Sequence, residues 1–184
     1  LLEGFYTRLN HVFVLEEIGK DEEHNAVIKE RRNGQGAEVA GVTVEGKVAY
    51  LSLVQLQAGV TWQKSHYTRP EKWSKDSSVP AEKRIFRTPD WYGYFTATYS
   101  PVKPLNIALS GTYTGSMIVQ HMKGYIPKDI AVTTPDFFDM NLKISYDFSL
   151  YKFITLQLNA GIQNIFNAYQ RDFDQGKERD SGYI

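Results

Sequence analysis

Two long alternating runs joined by a very short link limit what this chain can become more than any other feature. From Phe138 the even positions read Phe138, Met140, Leu142, Ile144, Tyr146 and Phe148, and the odd ones Asp139, Asn141, Lys143, Ser145, Asp147 and Ser149. After Leu150, Tyr151 and Lys152 the pattern resumes, with Ile154, Leu156, Leu158, Ala160 and Ile162 on one side and Thr155, Gln157, Asn159, Gly161 and Gln163 on the other. A strand points successive side chains to opposite faces, so each run is a strand with one apolar and one polar face, and the pair is an antiparallel hairpin. Strands of ordinary globular domains average about 5 to 6 residues. A strand tilted across a bilayer needs roughly 9 to 11, apolar outward and polar inward. Both runs meet the longer requirement.

Composition narrows the function classes. With 21 basic and 21 acidic residues in 184 there is no overall field to attract nucleic acid, and no clustered basic helix to do so locally. The absence of cysteine excludes a disulfide scaffold, a thiol nucleophile and a thiolate zinc site. A mean hydropathy of −0.40 suggests solubility, and no run approaches the ~18 apolar residues of a membrane helix. A barrel evades that inference, because its polar lumen half cancels its apolar half in any average. The chain opens at Leu1 without a methionine or signal-like segment and reads as a fragment.

In order along the chain, Phe5 to about Leu15 is expected to be a first strand, less cleanly alternating because of the run Val12, Phe13, Val14. A polar loop, Glu16 to about Asn25, leads to a second strand from about Ile28 to Val48. Within it Asn33-Gly34 is either a hairpin turn or a lumen-facing glycine or bulge within a long strand. Val54, Leu56, Ala58, Val60 and Trp62 define the apolar face of a third strand, and an irregular stretch follows from Tyr67 to about Phe86. The fourth strand runs from about Arg87 to Tyr99, and the fifth from Leu105 to about Met117. A loop from Val119 to Pro135 leads to the hairpin described above. The short turns centre near 51, 102 and 151, and every connection at the other end is long. Prolines fall in loops, turns or, for Pro89, the start of a strand.

This rhythm predicts an all-β, antiparallel, up-and-down transmembrane β-barrel segment. It would have about seven long strands, short periplasmic turns and long extracellular loops. Tyr50, Tyr99, Phe148 and Tyr151 would form one aromatic girdle, and Trp62, Trp91, Tyr113, Phe138 and Phe166 the other. Leu142, Ile144, Leu156 and Leu158 are expected to face lipid, and Asn141, Lys143, Gln157 and Asn159 the lumen. Seven strands cannot close a bacterial single-chain barrel, whose count is even. The alternative is a soluble sandwich or small barrel acting as a binding module, its apolar faces turned inward.

Three segments carry a family resemblance. Asn33 to Glu45 (NGQGAEVAGVTVE) resembles the N-x-G-x-A-x-x-x-G-V-E-x-E strand of TonB-dependent outer-membrane receptors. Arg87 to Pro101 (RTPDWYGYFTATYSP) resembles the strand that they begin with R-x-P. Leu158 to Tyr169 (LNAGIQNIFNAY) is similar to their penultimate strand, G-x-x-N-L-F-(N/D)-x-x-Y. Thr43 departs from the first glutamate of the pattern and Ile165 from its leucine. The resemblance implies a barrel of about 22 strands around a plug domain. Residues 1–184 would be one partial domain of it, the C-terminal portion from the fifteenth to the twenty-first strand, lacking plug and last strand. It also implies residence in the bacterial outer membrane among its lipids, and import of a scarce bulky nutrient (ferric siderophore, haem or cobalamin). TonB would supply energy through a segment not in this chain.

No catalytic constellation stands out, since G-x-S-x-G, H-E-x-x-H and phosphate-loop motifs are absent. Asp139, Lys143 and Asp147 recur every four residues and could serve acid–base work. The plainer reading is a lumenal charge ladder, and a barrel enzyme (protease or acyltransferase) is the second class. His66, His121, Met117 and Met122 lie towards the long loops, where haem axial ligands could arise. Solvated side chains are the simpler account, and His11 and His24 have less to recommend them. We assign no catalytic residue, metal site or cofactor. His66, Tyr67, Arg69, Trp73, His121, Tyr125 and Arg171 combine stacking surface and charge and are the expected ligand-binding set. The loops Tyr67 to Phe86 and Met117 to Pro135 are expected to form part of an external ligand vestibule.

Overall fold

The computed structural model describes residues 1–24, 26–123 and 126–169, and among these there is no helix. The strands are β1 (Leu2–Leu9), β2 (Phe13–Asp21), β3 (Ala26–Asn33), β4 (Ala37–Tyr50), β5 (Val54–Glu71) and β6 (Glu82–Arg84). They continue with β7 (Trp91–Val102), β8 (Leu105–Thr114), β9 (Ile118–His121), β10 (Ile130–Thr133), β11 (Phe137–Tyr151) and β12 (Ile154–Ile162). Seven of these form one antiparallel sheet in the order β1-β4-β5-β7-β8-β11-β12, with β6 beside the far part of β5. The pairs β2–β3 and β9–β10 are separate hairpins inserted in the long connections. With these hairpins and β6 set aside, every strand pairs with its predecessor, which is an up-and-down meander.

Three tight turns lie at one end of this wall. Tyr50 to Leu53 closes on a Leu53 N–H to Tyr50 O bond of 3.2 Å, with Leu51 at φ 52°. Lys103-Pro104 and Lys152-Phe153 make the other two. These are the turns expected near 51, 102 and 151.

The register aligns the two faces across the wall. One row reads Val48, Leu56, Ala97, Leu109, Leu142 and Ile162. A neighbouring row reads Glu45, Gly59, Tyr94, Thr112 and Asp139. A slip of one residue would invert both faces, so the alternation of six strands enforces a single pairing. Polar cross-links hold the second face. Thr43 and Thr61 hydroxyls are 2.9 Å apart, Gln57 Nε2 donates to Glu45 at 2.7 Å, and the Tyr94 hydroxyl donates to the same Glu45 oxygen. Gln157 Nε2 donates to Asp147 at 2.8 Å. Tyr94 lies across Gly59, where a Cβ would come within 2.7 Å of the ring. The apolar face packs on nothing among the described residues, with Leu56 44% and Leu158 54% exposed. That is opposite to the inward packing a soluble sandwich requires. Paired rings mark both ends of the wall, Trp62–Trp91 at 6.4 Å and Phe138–Phe166 at 6.0 Å beside the long loops, Tyr146–Phe148 at 4.5 Å beside the turns.

The structure corrects several boundaries. The first strand stops at Leu9, and β2–β3 occupies the expected loop of 16–25 and the start of the expected strand 28–48. Asn33-Gly34 is neither turn nor bulge but the joint where the chain leaves that hairpin for the wall. There Gly34 N–H donates to Val12 O at 2.7 Å, and Gly36 passes so close to Leu9 that a Cβ would sit 2.8 Å from its carbonyl. Ile18 and Ile28 are exposed in the hairpin, so neither bilayer nor core imposes alternation there. β5 continues through Tyr67 to Glu71, and Pro70 lies in the register break between His66 and Glu71, where a missing N–H removes no rung. β7 begins at Trp91 rather than Arg87, because Arg87 turns to φ 56° and gives its N–H to Ile118 O at 2.8 Å. β8 ends at Thr114, before the buried Met117.

Candidate functional site

The long-connection end is the part of the molecule that packs like a protein in water. Among the described residues the buried hydrophobic ones, Ala37, Val79, Met117, Ile118 and Val119, all belong to it. The polar stripe of β5, Thr61, Gln63 and Ser65, is buried as well. Gln63 is satisfied by the segment before β7, its N–H donating to Asp90 O at 2.8 Å and its Nε2 to Pro89 O at 3.0 Å. At the tip of β5 the Glu71 carboxylate is buried against the joint between β3 and β4. It accepts from Gln35 N–H at 3.2 Å and from Arg32 Nη2 at 3.4 Å, the donors that a buried anion needs. Thr68 adds N–H and hydroxyl bonds to Gly36 O.

The connections 72–90 and 115–136 are fastened to each other. Ser74 Oγ donates to Asp129 Oδ2 at 2.6 Å, and the other Asp129 oxygen accepts from Lys123 N–H at 2.6 Å. Ser74 Oγ also accepts from Asp76 N–H, while Ser78 N–H donates to Asp76 at 2.9 Å. Those Ser78 bonds, aided by Lys123 and Lys128, hold the Asp76 carboxyl below its ordinary pKa. Trp73 sets its ring edge-on to Phe86 at 5.4 Å and donates Nε1–H to Pro80 O. Met117 and Thr134 exchange two bonds, of 2.8 and 3.2 Å.

Between these connections and the top of β5, β7 and β8 lies a cleft of about 290 Å³. Ser65, Arg84, Ile85, Thr88, Asp90, Trp91, Tyr113, Ser116, Met117, Ile118, Thr133 and Asp136 line it. Asp136 accepts from Ser116 N–H at 2.8 Å and from the Tyr113 hydroxyl at 2.7 Å. Lys64 pairs with Asp90, and Arg84 Nε lies 3.6 Å from Glu82.

The expected ligand set does not converge. His66 shares the face of Trp62 and Lys64, with Nε2 3.7 Å from Glu38, whose other oxygen is 3.6 Å from Arg8. Tyr67 points to the opposite face beside Ala37, half-buried, its phenol pKa raised by burial and then by Glu71. Arg69 is exposed on β5, and Trp73 sits in the connection beyond it. His121 is buried in β9, its Nε2 without a hydrogen-bond partner among the described residues. Tyr125 and Arg171 lie outside the described residues. None of the other five lines the cleft. The residues that do carry no site role in the sequence, where Trp91 and Tyr113 read as girdle and Arg84, Asp90 and Asp136 belong to no motif. Tertiary pairing alone brings them together.

Among the described residues no group of three or more His, Asp or Glu could hold a metal ion. Met122 is exposed while Met117 and His121 are buried. Asp139 and Asp147 share the polar face of β11, but eight residues at ~3.4 Å each put them about 27 Å apart, too far to act on one bond.

A family model described as "TonB dependent receptor-like, beta-barrel" matches residues 2–165. No curated protein matches the chain. The meander, the apolar outer face, the short turns and the match over most of the chain agree, and the chain belongs to the TonB-dependent receptor-like β-barrel family of outer-membrane transport receptors.

Proposed function

We propose that residues 1–184 are the C-terminal portion of the barrel of an energised importer and that the packed loop end forms part of its external vestibule. The cargo is a scarce, bulky nutrient, of which ferric siderophores, haem and cobalamin are the chemical types. TonB supplies energy through a segment other than those described, and a plug domain contributes the remainder of the binding surface. The observation that carries this reading is the asymmetry of the wall. Its turn end is bare, whereas its loop end has buried side chains, fastened connections and a cleft. A rim that captures a dilute ligand benefits from aromatic faces and fixed charges, which offer contact with few rotors to freeze. Tyr67, Arg69 and Trp73 belong to this vestibule as separate contacts, with His66, His121, Tyr125 and Arg171 completing the proposed set.

The test is made in the full-length receptor. Replacing residues 72–81 by a short Gly-Ser linker spares β5 and β6 and removes Trp73 and Ser74. Ligand affinity and uptake should fall while heat-modifiable migration of the barrel stays normal. Unchanged uptake of and affinity for iron complexes, haem and cobalamin would refute the vestibule role.

A further inference from the structure

We propose that the cleft above β7 and β8 is a subsite for one alkylammonium group, a primary amine on an apolar stem, an inference that rests on the vestibule reading. Charge gives the first limit. Among the residues lining the cleft, Arg84 is paired with Glu82 and Asp90 with Lys64, whereas Asp136 forms no ion pair among the described residues. The hydrogen bonds that Asp136 receives come from neutral donors, Ser116 N–H at 2.8 Å and the Tyr113 hydroxyl at 2.7 Å, which steady the carboxylate without cancelling its charge. The cleft therefore keeps an uncompensated negative charge, which attracts a cation and opposes carboxylates and phosphates.

Hydrogen bonding gives the second limit, because several donors of the lining are already spent. Gly115 N–H goes to Trp91 O at 2.8 Å, Ser116 N–H and the Tyr113 hydroxyl go to Asp136, and the Thr88 hydroxyl goes to Phe86 O at 3.2 Å. What they leave towards the cleft is acceptors: the second positions of both Asp136 oxygens and the lone pairs of the Tyr113 and Thr88 hydroxyls. An ammonium brings three donors and no acceptor, the complement of such a lining. Trp91 and Tyr113, 50% and 36% exposed, add ring faces of the kind that attract a cation. Met117 and Ile118 offer apolar wall for the methylene stem. At about 290 Å³ the cleft falls at the lower end of the roughly 300–1,000 Å³ of drug-sized ligand pockets, so it holds a basic arm of the cargo rather than a whole chelate or a haem. The arm can come from a free polyamine or from a lysine side chain on a peptide.

Full-length receptor is titrated calorimetrically, into the millimolar range, with cadaverine and, in a separate arm, with a terminally blocked alanyl-lysyl-alanine tripeptide. Each is set against its fully N-acetylated form, citrate and inorganic phosphate. At least one amine should bind, and acetylation, which removes the charge, should abolish binding. Asp136→Asn and Trp91→Ala should each weaken it by about ten-fold or more. Trp91→Phe should retain binding, which separates a lost ring face from lost folding, and heat-modifiable migration reports assembly of every variant. Binding of cadaverine alone points to a free polyamine, and of the tripeptide alone to a basic side chain. Either outcome, or both together, supports the subsite. Silence of both amines, equal binding of the acetylated forms, affinities that neither Asp136→Asn nor Trp91→Ala changes, or tighter binding of citrate or phosphate would overturn it. The 72–81 linker variant leaves the cleft lining intact. Loss of nutrient uptake there, with both amines silent towards the unaltered receptor, would sink the subsite and leave the vestibule standing. Amine binding that Asp136→Asn abolishes, with uptake intact in the linker variant, would fail the vestibule reading alone.

Discussion

The wall and the rim are built from one continuous set of strands, yet they solve opposite problems. In the wall, Leu56, Ile144 and Leu158 stand well exposed, while in the rim Val119 and Ala37 are all but sealed. Both arrangements satisfy the backbone, the wall through its ladder and the rim through loop bonds such as Arg87 N–H to Ile118 O. They differ in what receives the apolar side chains. Hydrocarbon does so around the wall, so the sheet needs no core, only an unbroken ladder and a uniform outer face. Beyond the girdle there is water, and the connections must bury their own apolar groups and pair their own polar ones. A membrane protein of this type is thus two folding problems in series along each strand.

The largest effect expected to test this division lies in the wall. Leu156→Arg places a cation on the lipid face and should cost roughly 2 to 4 kcal/mol near mid-membrane. Gln157→Arg, one residue on and beside Asp147, should assemble normally. Equal assembly of the two, scored by heat-modifiable migration, would dissolve the assignment of faces. Next comes the rim: Glu71→Ala leaves the Gln35 N–H without its acceptor and Arg32 without its carboxylate, at about 1 to 3 kcal/mol. Proteolysis of the connections should begin at lower urea while the wall stays intact. Simultaneous loss of both would make them a single cooperative unit. Ser74→Ala, which cuts one link between the two connections, should cost about 1 kcal/mol and raise amide exchange at Ile118–His121 and Ile130–Thr133 without touching the wall.

The smallest effect is one of pH. Asp76 titrates below its ordinary value near 3.8 because the Ser78 bonds favour its charged form. Its contribution to the turn is therefore complete above that ordinary value and disappears as pH falls through the lowered one. Protection of the Ser78 amide should decline only in that acid window, and Asp76→Asn should abolish the dependence. A decline beginning near pH 6 would implicate a different group.

The wall was legible from sequence because the bilayer enforces one rule on every residue in it. Val48, Leu56, Leu109 and Leu142 obey the same period, and each tight turn interrupts it visibly. No such rule operates beyond Trp62 and Trp91. Val12, Phe13 and Val14 read as the end of a strand, yet Phe13 opens a hairpin in solvent. β5 outlasts its alternation because a register break accommodates Pro70. The cleft was illegible for a related reason. Asp136 acquires its meaning from Tyr113 and Ser116, and only the folded register places those three together.

β5 is an uninterrupted strand of 18 residues, which at ~3.3 Å each comes to roughly 60 Å of chain. About 9 to 11 of those residues suffice to cross the hydrocarbon, so the remainder is a mast rooted in the wall and carrying Glu71 at its tip. A mast of this kind has a mechanical consequence. A pull along it at the rim loads the β4–β5 and β5–β7 ladders in shear, with many rungs resisting together, whereas a pull across a free hairpin such as β2–β3 opens one rung at a time. Traction at the mouth of the receptor would therefore peel its outlying hairpin long before it disturbed the strands that seal the membrane.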